Sequence, residues 1–149
     1  MKIVSSLVAF ATLALTGSLA AQVPGRPVTP YGNSCGPIAT GEVLPNGGNI
    51  RFNFTMTGTP RTQLLLVVGV NEIAVPLPTT NCPLLTENAF VQQHRTDAAG
   101  VYSFSHAIGG GGSFNSYARV QFLELRIDAN NNIMIFPSNG LFMDCTGRP

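Results

Sequence analysis

His94 and His106 are the residues best suited to proton transfer near neutral pH, and either could act as a catalytic base or as half of a metal pair. Neither lies in a recognisable ligand spacing. His106 shares a strand face with Tyr102, Phe104 and Ile108, where a hydrogen-bonded histidine at the core edge is the commoner occupant. Asp128, Asn130 and Asn132 offer alternating oxygen ligands of the kind that wrap calcium, but the sixth-position glycine and the closing glutamate are missing. The same residue types form tight hairpin turns, which is the expectation for this loop. The seven acids are scattered singly, so the paired carboxylates of glycoside hydrolysis are unsupported, and no G-x-S-x-G elbow is present. A secreted hydrolase using His94 or His106 is therefore the rival reading. Tyr31, Phe114 and Tyr117 lie in or beside loops and could stack on a sugar or peptide, although the chain has no tryptophan. No metal and no cofactor is expected.

Three cysteines, Cys35, Cys82 and Cys145, allow one bridge and one leftover thiol. There is no C-x-x-C, and neither histidine sits near a cysteine, so a structural bridge is favoured over zinc or redox roles. A Cys35–Cys82 bridge would contribute about 4 kcal/mol by loop-closure entropy.

The elements that must position these residues are short apolar runs separated by Gly, Pro and Asn, none with a 3.6-residue period over three turns. The clearest strand runs from Asn49 to Thr57, where Ile50, Phe52, Phe54 and Met56 alternate with polar residues. Thr62 to Val70 contains LLLVV and reads as a strand covered on both faces, so this pair is the expected centre of the core. Ile73 to Pro78, limited by two prolines, suits an edge. Strands are also expected at 82–85, 88–95, 101–108, 133–136 and 141–143, with Asp97 to Gly100 as a hairpin-like turn. In Tyr117 to Ile127 the apolar phase switches from Ala118, Val120 and Phe122 to Leu123, Leu125 and Ile127. This predicts a β-bulge or a strand passing between sheets. The fold class is all-β, an antiparallel two-sheet sandwich of about eight or nine strands.

Residues 1–20 carry Lys2, an apolar run from Ile3 to Leu15 and small residues at Ser18 and Ala20, the layout of a secretory signal. The apolar run is shorter than the roughly 20 residues a membrane span needs. Residues 21–30 contain three prolines and read as a stalk, leaving 31–149 as one β-sandwich domain. Beyond residue 20 stand seven arginines, no lysine and seven acids, a balance that gives no reason to expect nucleic acid as a partner.

YGNSCG at Tyr31 to Gly36, LLLVVG at Leu64 to Gly69, VPLP at Val75 to Pro78, CPLL at Cys82 to Leu85, DAAGVYSFS at Asp97 to Ser105, VQF at Val120 to Phe122 and SNGL at Ser138 to Leu141 follow in one order. That series resembles an uncharacterised family of small secreted β domains common in planctomycete-type and marine bacteria. The resemblance implies a secreted sandwich with Cys35 paired to Cys82, leaves Cys145 outside the pattern, and carries no catalytic residue. The expectation is a secreted, non-catalytic extracellular module for envelope structure, adhesion or protein association. Its partner would be an extracellular protein or a glycan, and carbohydrate binding is an alternative.

Overall fold

The computed structural model describes residues 26–46, 49–109 and 117–144. The signal segment 1–20, Phe114, Cys145 and all but the first residue of the glycine run 109–113 lie outside the described residues.

The described chain is all-β, with antiparallel pairing throughout. Its strands are β1 (Arg26–Pro27), β2 (Thr29–Tyr31), β3 (Ile38–Asn46), β4 (Asn49–Thr57), β5 (Gln63–Gly69), β6 (Glu72–Pro76), β7 (Pro83–Thr86), β8 (Phe90–Arg95), β9 (Val101–Gly109), β10 (Tyr117–Ile127), β11 (Ile133–Pro137) and β12 (Gly140–Asp144). The first sheet has the order β1-β3-β4-β9 and the second β2-β12-β10-β5-β8, with β11 also on β10. The β6–β7 hairpin forms a small third sheet. Twelve strands thus replace the expected eight or nine. The additional ones are β1, β2 and β3, whose prolines and Gly41 interrupt any apolar alternation.

Phe52, Phe54 and Met56 of β4 face Leu64 and Leu66 of β5 and Val120 and Phe122 of β10 across one core. The two strands expected at its centre therefore meet it from opposite sheets. Residues 26–30 belong to the sandwich rather than to a stalk: Arg26–Pro27 pair with β3, Thr29 and Pro30 pair with β12, and Val28 between them is 6% exposed. The chain crosses from one sheet to the other at Val28 and closes that side of the core. Asn139 reinforces the closure, because its Oδ1 accepts from Ala39 N and its Nδ2 donates to Ala39 O.

β10 stays within one sheet and its register with β5 is unbroken. Its inner face carries Val120 and Phe122, while its outer face buries Gln121 and Leu123. Gln121 is satisfied there, accepting from Leu85 N and donating to Ser138 O. The change of apolar phase therefore reflects burial on both faces. The irregularity sits in the partner, where Gln121 and Phe122 face Ser138 to Gly140 between the β11 and β12 pairings.

Candidate binding site

The loop after β10 is closed on itself. Asp128 Oδ1 accepts from the backbone N–H groups of Asn130 and Asn132, Oδ2 accepts from Asn132 Nδ2, and Asn131 takes a φ of 65°. Those hydrogen bonds hold the Asp128 carboxyl below its usual range and serve the turn expected of these residues. Among the described residues no group of three or more metal-ligating side chains forms.

The two histidines stand on different sheets. His94 of β8 packs 4.5 Å from the Tyr102 ring, with Nε2 buried and unpartnered, and desolvation lowers its pKa below 6.5. His106 of β9 is exposed and stacks at 5.9 Å on Phe104. Cys35 and Cys82 are joined by a disulfide with Cα atoms 6.2 Å apart, tying the β2–β3 loop to the start of β7.

Tyr31 and Tyr117 are brought together around Arg119, which sequence reasoning did not single out. Arg119 pairs with Phe142 across the sheet, and its guanidinium carbon lies 4.9 Å from the Phe142 ring, 5.9 Å from Tyr31 and 6.0 Å from Tyr117. The guanidinium donates to Val70 O and lies 3.7 Å from the Glu72 carboxylate. Tyr31 is a prop: burial pushes its pKa up, and its hydroxyl lies 2.7 Å from Thr86 Oγ1. Gly140 leaves room for that ring, since a Cβ there would strike it. Tyr117 is 49% exposed and forms one wall of an open cleft of about 370 Å³ with Asn71, Glu72 and Arg119. One exposed ring beside an amide, a carboxylate and a guanidinium is chemistry suited to sugar hydroxyls.

A larger open cleft, about 980 Å³, lies where the turn before β5 meets the ends of β8 and the β10–β11 hairpin. Gln63, Gln93 and Leu125 line it together with Arg61, Arg95 and Arg126. The register sets Gln63 opposite Arg95, and Arg95 Nε donates to Arg61 O. Arg61 is held at a φ of 53° while its N–H donates to Asp97 O. Arg126 is neutralised by Glu124, whose fully buried carboxylate accepts from Arg126 Nε at 2.9 Å and from Thr59 N. Burial alone would raise the Glu124 pKa, but these partners outweigh it and hold the carboxyl below its ordinary value. Arg61 and Arg95 have no ion pair among the described residues. The cleft therefore presents two unneutralised guanidinium groups beside amides and apolar surface.

No protein-family model, curated protein or solved structure matches this chain.

Proposed function

We propose that this chain is a secreted, non-catalytic extracellular module for envelope structure, adhesion or protein association. The carrying observation is the broad cleft edged by Arg61 and Arg95, which is open enough to accept a segment of a larger partner and supplies positive charge to it. The Cys35–Cys82 disulfide suits an oxidising compartment, and among the described residues no helix is long and apolar enough to cross a membrane. The resemblance to small secreted β domains points the same way. A hydrolase finds less support, because the two histidines stand on different sheets and His94 Nε2 is buried without a hydrogen-bond partner.

Retention of the labelled protein on envelope fractions of the producing cells tests the proposal. Wild type is retained, whereas a variant combining Arg61→Glu and Arg95→Glu loses most of its retention. Equal retention of the two proteins removes the cleft from the mechanism. Carbohydrate binding is the second reading, favoured by the exposed Tyr117 ring beside Arg119, Glu72 and Asn71. A glycan-binding signal that survives the double arginine variant but is lost in Tyr117→Ala would select it.

A further inference from the structure

The two long sides of the sandwich differ. On one side the chain runs through β1, Val28 and β2, linking the outer strands of both sheets. On the other side the outer strands are β8 and β9, and neither pairs with a further strand among the described residues. Among the described residues β8 pairs with β5 alone, and Phe90 to Gln93 are exposed on both of its faces, Phe90 at 55% and Val91 at 47%.

Natural sheets guard such edges with proline, charge, bulges or very short strands. In this chain β1 and β2 are two and three residues long and carry Pro27 and Pro30, and β6 and β11 end on Pro76 and Pro137. β8 reads FVQQHR, with no proline, no irregularity in its pairing with β5 and no fixed charge before Arg95. β9 is as open and as free of proline and fixed charge as β8, but its exposed residues Ser103, Ser105, His106 and Ala107 include no large apolar side chain and no arginine to select an occupant.

We infer that the free edge of β8 is a strand-addition site for an extended segment of a partner protein, apolar at alternate positions and acidic at the end beside Arg95, with Arg61 one strand further in along the same cleft. This inference rests on the protein-association reading and names the partner's chemistry. An added strand obtains main-chain hydrogen bonds from the unpaired edge, and side-chain contacts set its specificity. His94 packs inward against Tyr102, so Phe90 and Gln92 share its face. An added strand therefore turns alternate side chains toward the sandwich interior and its exposed rim. The other set lies on the face of Val91, Gln93 and Arg95, which carries the cleft.

Charge selects the occupant. Neither Arg61 nor Arg95 is answered by an acid among the described residues. Asp97, two residues beyond Arg95, spends Oδ1 on Ala99 N and Val101 N. A second copy adding through its own β8 would bring another Arg95, and the nearest acid, Glu87, is already engaged by Val70 N and Asn71 Nδ2. An acidic segment satisfies the site and self-pairing does not.

The test uses the whole secreted protein and two synthetic ten-residue peptides of alternating valine and threonine, one ending in two aspartates and the other in two lysines. Fluorescence anisotropy should give tighter binding of the acidic peptide, by roughly tenfold or more, with the advantage shrinking in high salt. Combining Arg61→Glu with Arg95→Glu should reverse the preference, and Val91→Lys should weaken both peptides. Hydrogen exchange on the wild type supplies a reading that needs no variant: the acidic peptide should protect amides within Phe90–Arg95. Equal binding of the two peptides, no binding, or protection confined to other strands overturns the inference. A dimer formed without peptide and lost in Val91→Lys also overturns it, assigning the edge to a second copy. If the Val91→Lys protein stays folded and is retained on the envelope like the wild type, the edge assignment falls while the association reading stands.

Discussion

Glu124 and Arg126 are the residues on which charge and burial bear most directly. The carboxylate is 0% exposed, while the arginine side chain is 37% exposed and lies 4.3 Å over the Phe136 ring. Arg126→Gln removes the countercharge and leaves the buried carboxylate to the backbone N–H and side chain of Thr59. The expected loss at pH 7 is about 2 kcal/mol, below that of a fully buried pair because solvent screens the exposed arginine. In the wild type the lowered Glu124 pKa adds stability that is complete above 4.5 and disappears as pH falls through the folded value. Without the arginine the carboxyl loses two of the interactions that hold its pKa down while the desolvation remains, so its pKa rises and the gap between the two proteins widens from pH 4 to pH 7. Urea unfolding at both values measures it, and a gap that is constant or narrower at pH 7 refutes the account. The two-residue spacing of Glu124 and Arg126 puts them on one face of β10, but nothing local announces that this face is buried at Glu124. The convergence of Arg61 with Arg95 depends on register between β5 and β8, and scattered arginines carry no spacing signal.

At the level of elements, the turn of Asp97 to Gly100 is a joint between sheets. Its glycine has the expected positive φ, 82°, yet β8 belongs to the second sheet and β9 to the first, so the flanking strands are not a hairpin. Gly58 N donates to Gly100 O at 2.8 Å, and a Cβ on Gly100 would run into the Gly58 carbonyl. Gly100→Ala should therefore cost about 2 kcal/mol, the sum of left-handed strain and steric conflict. Chemical denaturation checks this, and a change within roughly 0.5 kcal/mol, as at an ordinary surface position, contradicts it. The alternation in β4 and the apolar run of β5 were legible because each side-chain period matches a sheet environment. β3 was not, because Gly41 and Pro45 break its pattern while its pairing with β4 runs through all nine residues. The outer-face burial of β10 was equally hidden, since the β6–β7 layer that covers it comes from elsewhere in the chain.

For the whole molecule, the all-β class followed from composition and turn spacing, whereas the layering required knowing which strands meet. The Cys35–Cys82 bridge spans 47 residues and links the loop after β2 to the hairpin covering the second sheet. Replacing both cysteines by serine should lower stability by about 4 kcal/mol through the freed unfolded chain. The thermal midpoint under oxidising and reducing conditions tests this: reduction should move the wild type toward the variant and leave the variant unchanged. The crossing at Val28 also sets how the molecule sits on any support. A linker or anchor joined ahead of Arg26 leaves from the sealed side, so a molecule immobilised through that end turns β8 and β9 outward. The same attachment that holds it at a surface would hold its open side toward whatever approaches from solution.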